Sequence, residues 1–516
     1  MLDRRGLGNG KNKYLILFST KREGKKSVKI LYISSEVVPF SKTGGLADVA
    51  GALPIALKNL GHDVRIATPR YGCINGEKFN LHQMIDEVQV HFQHDTSIAT
   101  VETANLPGTE IPVYFIANDF YFGRRELYTE KGKDYPDNSQ RFAFFCMATL
   151  WMLRILDWKP DVIHCNDWQT ALIPAYLKHH PYVKSDEFYN GIKALYTIHN
   201  LAYQGSFDRD TLNKIGLGWE VYTIDGLEFY GDINLMKAGI MFSDEIATVS
   251  EMYAREIQTR EYGCGLDGVL RYRRDHLTGI MNGIDYGIWD PAKDDLISSK
   301  FSARNMAGKS LCKKHLQKIN RLPENRDIPV IGMISRMADQ KGFDLIAQIA
   351  EELFSLDIQF VLLGTGEPIY HEMFKKIGET YPAKAGINIT FNNQLAHEIE
   401  AGADMFLMPS RYEPCGLNQL YSLRYGTVPI VRKTGGLADS IIDASPKTIA
   451  QGTGTGFVFE KYEPDALLDL IKRAVDLYTR DKKAWKKIQS NGMARDHSWE
   501  ASAKQYAALY RKMIDA

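Results

Sequence analysis

Lys42-Thr43-Gly44-Gly45-Leu46-Ala47-Asp48 returns unchanged as Lys433-Thr434-Gly435-Gly436-Leu437-Ala438-Asp439. The copies begin 391 positions apart (433 − 42), whereas solenoid repeats recur every few tens of residues. Two related domains account for that spacing. An apolar run precedes each copy (30–33 and 428–431) and an apolar helical pattern follows, so each Gly-Gly turn is expected to open a helix. Such a turn presents backbone N–H groups beside the positive end of a helix, a setting that suits phosphate. One copy alone would read equally well as a plain tight turn, which Gly pairs commonly make.

Outward from these copies the same unit recurs: a short β-branched run, a turn, then a longer amphipathic stretch. That order predicts parallel α/β folding. In the first half the runs fall at 28–33, 64–67, 113–117, 161–165, 194–198 and 245–249. In the second they fall at 329–335, 359–363, 388–391, 404–409 and 428–431. The first helix is marked by Leu46, Val49, Leu53, Leu57 and Leu60 at spacings of three and four, and Gly61 closes it. Pro54 lies inside that pattern and predicts a kink. Gly279, Gly283, Gly287 and Pro291 break the periodicity between 274 and 291, where the domains should join. The expected division is a basic tail over 1–27, a doubly wound domain over 28–278, a second over 279–493, and a closing segment over 494–516. The last carries a helix near 499–513 that is expected to pack back on the first domain. Ligands of such sheets bind beyond the carboxyl ends of the strands, so the cleft between two facing domains is the place to look for chemistry.

Composition narrows the function classes. With 516 residues, 44% apolar and 24% charged, the chain exceeds one ordinary core and has a globular balance. Lys plus Arg equals Asp plus Glu at 63 each, which argues against a nucleic-acid footprint. The six cysteines form no Cys-x-x-Cys, so neither a disulfide framework nor a zinc spacing is indicated, and a reducing cytoplasm is expected. No apolar stretch approaches the roughly 20 residues that span a bilayer. The basic, acid-poor start leaves a plastid transit peptide as the alternative to a cytoplasmic location, although Ser and Thr are few there.

Polar clusters follow the runs. His199-Asn200-Leu201-Ala202-Tyr203-Gln204-Gly205 follows 194–198, and Asn166-Asp167-Trp168-Gln169 follows 161–165, where Trp168 offers an aromatic face that could hold a sugar. In the second half Arg336 and Lys341 follow 329–335. A forked guanidinium and a point-charge ammonium together suit a departing diphosphate without a metal. Pro409-Ser410-Arg411-Tyr412-Glu413-Pro414-Cys415-Gly416-Leu417 puts a carboxylate between a buried run and a helix, where it either meets a sugar or caps the helix. Cys415 has no identifiable partner base and reads as a small buried residue. Gly364-Thr365-Gly366 lacks the third glycine of a dinucleotide fingerprint. Gly308-Lys309-Ser310 lacks the first glycine of a P-loop, because position 303 is Ala303.

Together these segments resemble the bacterial and plant glycogen and starch synthases, glycosyltransferase family 5, from about Val28 to the end. The resemblance implies a GT-B fold of two Rossmann-like domains and retaining transfer of glucose from a nucleoside diphosphoglucose, usually ADP-glucose, to the non-reducing end of an α-1,4-glucan. It implies no metal and no pyridoxal cofactor, and front-face attack with the departing phosphate taking the acceptor's proton. Carried onto this chain, Arg336 and Lys341 hold the diphosphate, Gly45 approaches a phosphate and Lys42 sits beside the donor. His199 and Glu413 meet the transferred glucose, with Asp48, Asn200 and Asn282 completing the sugar and acceptor site. Gly364, Thr365 and Phe391 border the nucleotide, and Ser410, Cys415, Gly416 and Leu417 line the donor. Tyr128, Asp167, Trp168 and Asn200 face the glucan. Gln169 stands where many bacterial members have histidine, Phe391 where tyrosine is frequent, and Tyr421 where broader retaining transferases carry a second glutamate, a loss that family 5 shares. Another donor or acceptor (UDP-glucose or a sucrose-type reaction) and a non-catalytic glucan-binding protein are the alternatives. Oligomeric state is open.

Overall fold

The computed structural model describes residues 27–92 and 95–516. Residues 1–26 of the expected tail lie outside them. Two separate sheets organise the rest. The first has nine strands in the order Leu277–Gly279, Glu245–Thr248, Lys193–Ile198, Val162–Asn166, Lys29–Ile33, Asp63–Pro69, Pro112–Ala117, Asp95–Asn105, His82–Phe92. Its first seven strands pair in parallel, and the last two add antiparallel at the edge. The second sheet has six parallel strands in the order Ala385–Ile389, Gln359–Gly364, Val330–Ile334, Met405–Met408, Val428–Arg432, Phe457–Phe459. Numbered along the chain this second order is 3-2-1-4-5-6, the doubly wound order of a Rossmann fold. The parallel part of the first sheet repeats it with one further strand.

The central strands are apolar on both faces because helices cover both, as parallel sheets require. Ile30 to Ile33 and Val162 to Asn166 are fully buried. Helix Gly45–Asn59 forms where the leucine spacing places it and runs through Pro54 without a break. In the second domain the strand expected at 388–391 sits earlier, at Ala385–Ile389, because Thr390 and Phe391 have already left the sheet.

In each sheet the winding direction reverses between two neighbouring strands. These are Lys29–Ile33 and Val162–Asn166 in one, Val330–Ile334 and Met405–Met408 in the other. Crevices open beyond the carboxyl ends at such points. The chain crosses from the first domain to the second just after Gly279 and returns near Ser498. The two crossings are bonded to each other: Ile284 N–H donates to the His497 carbonyl at 2.8 Å, and Ile284 pairs with Ser498 as a parallel bridge. The closing helix, Trp499–Asp515, packs against Gly45–Asn59 and buries Tyr506 and Tyr510 in the first domain's core, where Tyr510 Oη lies 2.8 Å from His164 Nδ1.

Candidate active site

In the first domain the strand Lys29–Ile33 ends at Ser34, and the chain turns through Glu36 to the first heptapeptide. Glu36 is buried, and its carboxylate accepts from Thr43 N–H, from Thr43 Oγ1 at 2.6 Å and from Gly44 N–H at 3.1 Å. Tyr128 Oη adds a fourth bond at 2.8 Å and also meets Ser35 Oγ. This corrects the simple phosphate-loop reading of the Gly-Gly turn. Two of its amide donors already serve a carboxylate, whereas the Gly45 N–H, at the first residue of helix Gly45–Asn59, has no acceptor among the described residues, and a Cβ at Gly45 would meet nothing. Lys42 pairs with Asp48 at 2.6 Å on the rim. Burial raises the Asp48 carboxyl, and Lys42 opposes that shift.

Beyond Val162–Asn166, Asp167 takes φ +53 and accepts the His199 N–H at 2.8 Å. Burial pushes its carboxyl up to about 7, with backbone N–H bonds from His199 and Asn200 working the other way. The His199 ring is held by Asn166: Nε2 lies 2.8 Å from Asn166 Oδ1, while the Asn166 amide nitrogen donates to the Ile33 and His164 carbonyls. That fixes the amide's orientation and requires His199 Nε2 to carry the proton. Burial pulls the ring down to about 3, so at neutral pH His199 is uncharged and its Nδ1 lone pair is an acceptor. Trp168 departs from expectation. It is 9% exposed, with Phe142 against it edge-on and Phe207 5.7 Å away, so it braces the floor and presents no open sugar platform.

In the second domain Lys341 Nζ lies 2.6 Å from Glu413 Oε2, and Ser410 Oγ donates to the same oxygen at 3.0 Å. Glu413 is buried, whereas Arg336 is exposed and reaches across the cleft to Tyr203 Oη at 3.4 Å. Gly342 holds Lys341 in place: at φ +76 its backbone lies so close to Pro409 that a Cβ would sit 2.2 Å from the Pro409 carbonyl. Gly364 and exposed Thr365 end the strand beside Arg336, with the Thr365 carbonyl accepting from Met337 N–H. Phe391 is 84% exposed at the far rim. Gly416 and Leu417 lead into helix Asn418–Arg424.

Cys415 is buried, and burial pushes its thiol up to about 12, with an Asn282 backbone bond lowering it, so a thiolate nucleophile has no support. Asn282 is buried at the same interdomain seam. Lys309 of the discarded P-loop imitation is buried and bonded to Thr427 Oγ1 and the Ala401 carbonyl, a structural role. Glu36, Asn166 and Tyr203 escaped the sequence reading as site residues. The available signal for the first two was position, as polar residues at or just past the ends of adjacent central strands.

Residues 29–272 match the family model described as starch synthase catalytic domain, and residues 315–492 match glycosyl transferases group 1. The glycogen synthase of Thermosipho africanus (strain TCF52B) is 47% identical over 492 residues, covering 95% of this chain and 99% of its own length. The chain belongs to the glycogen and starch synthase family. This glycosyltransferase is similarly related to the glycogen synthase of Geotalea uraniireducens (strain Rf4), at 48% identity over 494 residues, 94% of this chain and 98% of that one. Among solved structures, the catalytic domain of starch synthase IV from Arabidopsis thaliana, bound to ADP and acarbose, superposes with a TM-score of 0.87 at 32% identity. It covers 95% of this chain and 100% of that one. Sucrose-phosphate synthase from Thermosynechococcus elongatus shares the two-domain fold at a TM-score of 0.56 and 17% identity, covering 94% of this chain and 99% of that one. The glycosyltransferase thus has the GT-B fold, and no helix among its described residues is long and apolar enough to cross a membrane.

Proposed function

We propose that the enzyme transfers glucose from ADP-glucose to the non-reducing end of an α-1,4-glucan with retention of configuration, releasing ADP. The observation that carries this reading is the contact of Arg336 with Tyr203, in the loop that follows His199, which sets the wall bearing the Lys341–Glu413 pair against the first domain at the switch points of the two sheets. Lysine has three donors, so Lys341 can keep Glu413 and still offer two to a diphosphate, with Arg336 adding a fork. Gly45 N–H supplies a further phosphate donor from the opposite wall. Glu413 and the acceptor nitrogen of His199 then take hydroxyls of the transferred glucose, and Asp167, Asn200 and Tyr128 line the glucan side. Lys42, Asp48, Asn282, Ser410 and the Gly364-Thr365 turn frame the donor. Its adenine lies toward Phe391.

In this scheme the bond from C1 to the phosphate oxygen breaks as the C1 bond to the acceptor hydroxyl forms on the same face. The departing phosphate takes the hydroxyl proton, and the two cations stabilise its growing charge where water is displaced. No metal or pyridoxal group has a step to perform. The test is transfer of label from ADP-glucose and from UDP-glucose into glycogen. ADP-glucose is expected to be the better donor; no incorporation from either would overturn the assignment.

A further inference from the structure

The second heptapeptide has no part in the transfer proposed above, yet its surroundings give it one of another kind. Thr434 Oγ1 donates to Glu256 Oε1 at 2.9 Å, and Gly435 N–H reaches both carboxylate oxygens at 3.1 Å. The first copy grips Glu36 with the same two positions, Thr43 Oγ1 and Gly44 N–H. Each copy is therefore a socket for a carboxylate. The difference lies in where the glutamate comes from: Glu36 belongs to the same domain, but Glu256 ends helix Glu251–Glu256 of the opposite one.

Two further bonds fasten that helix. Met252 N–H donates to Asp439 Oδ2 at 2.8 Å, and Ser250 Oγ donates to the Pro414 carbonyl at 2.7 Å. Asp439 differs from its counterpart Asp48 in its partner. In the first copy Lys42 holds Asp48, whereas Lys433 turns to Glu460 at 2.6 Å. The repeated sequence thus directs one acid inward and the other across the domain boundary.

The socket also touches the Glu413 loop. Gly436 N–H donates to the Glu413 and Pro414 carbonyls, both at 3.1 Å. Gly435 has φ +41, and a Cβ there would lie 2.0 Å from the Glu413 carbonyl oxygen. Backbone rests on backbone at this point, so a shift of the socket moves the residue that carries the carboxylate.

We propose that Glu256 is a positioning residue: seated in the Thr434–Gly435 socket, it sets the Glu413 backbone as the first domain docks against the second. The proposal rests on the assigned role of Glu413 at the transferred sugar. It is tested on the full chain with Glu256→Ala, Glu256→Gln, Thr434→Val and the Ala/Val double variant. Glutamine keeps an oxygen that can accept from both Thr434 and Gly435, so it is the rescue.

Glu256→Ala is expected to lower kcat about tenfold while the donor KM moves less than about threefold, with Glu256→Gln staying within about threefold of the parent. Thr434→Val, nearly isosteric, should shift kcat in the same direction, and the double variant should be no worse than Glu256→Ala because both changes cut one contact. Hydrogen–deuterium exchange over 411–418 should quicken in Glu256→Ala and Thr434→Val but not in Glu256→Gln. That readout needs no donor, so an enzyme inactive with ADP-glucose would overturn the donor assignment and leave exchange to decide this one. Unchanged kcat and exchange in folded Glu256→Ala overturns the proposal, as does a loss confined to KM or multiplying losses in the double variant. If Glu256→Ala fails to fold, unchanged kcat and exchange in Thr434→Val overturns it.

Discussion

Replacing Lys341 with methionine should separate stability from catalysis at the second-domain wall. Lys341 and Glu413 meet at 2.6 Å with side chains 21% and 7% exposed, so the change strands a nearly buried carboxylate. Removing one member of a fully buried pair costs about 3–5 kcal/mol. Here the Ser410 hydroxyl stays bonded to Glu413, and the partial exposure of Lys341 admits water, which brings the expected loss down to about 2 kcal/mol. For a domain of this size roughly 2–4 °C is lost per kcal/mol, so the second domain's calorimetric transition should fall by about 4–8 °C. Turnover should fall roughly a hundredfold or more, because a cation that the proposed mechanism sets at the leaving phosphate is gone. Adding Glu413→Gln to Lys341→Met removes the stranded charge, and most of the lost melting temperature should return while turnover does not. Calorimetry and a single-turnover transfer assay on the parent, both single variants and the double variant complete the cycle. A Lys341→Met protein that melts with the parent, or a double variant that melts no higher than Lys341→Met, would refute the claim that the pair holds Glu413.

The remaining expectations concern neighbouring groups. Asp167 has a folded value near 7, raised by burial, against an unfolded value near 3.9. The folded state therefore binds more protons between those values, and stability falls as pH rises through them. The melting temperature of Asp167→Asn minus that of the parent should grow from pH 5 to pH 8, and a flat difference would contradict the shift. Cys415→Ser should retain activity within about threefold, and the native thiol should resist iodoacetamide because burial keeps it protonated; rapid loss of activity on alkylation of Cys415 would refute this. Gly342→Ala forces a Cβ into the Pro409 carbonyl at positive φ, costing more than about 1 kcal/mol. It should lower turnover by displacing Lys341, and an unaffected melting curve and rate would show that the loop adjusts freely.

The central parallel strands were legible because each is a short apolar run buried on both faces, and their ends located the crevices; the short parallel edge strands Leu277–Gly279 and Phe457–Phe459 are too brief to show such a run and were not read. The edge pair His82–Phe92 and Asp95–Asn105 was not read either. Most of His82–Glu87 faces solvent on both sides, so apolar alternation is confined to the second half of that strand, at Val88, Val90 and Phe92. Among site residues, Arg336, Lys341, Glu413, His199 and Asp167 stood out through company within a few positions. Glu36 and Asn166 act through bonds to distant segments, and no local pattern reports such a partner. Trp168 was misread for the related reason that Phe142 and Phe207, which surround it, come from other elements. The match of Glu256 to Thr434 spans 178 residues and is invisible without the fold.

The closing helix has a consequence for synthesis. Tyr506 and Tyr510 complete the core around His164 in a central strand of the first domain, yet they are made only after the whole second domain. After Gly279 closes the first sheet, about 220 residues must be made before Trp499 appears, roughly tens of seconds at ~5–20 residues per second. During that interval the first domain's apolar patch over Gly45–Asn59 is bare while the second domain folds beside it. Until the helix Trp499–Asp515 has emerged and docked, that exposed apolar surface is open to non-native association.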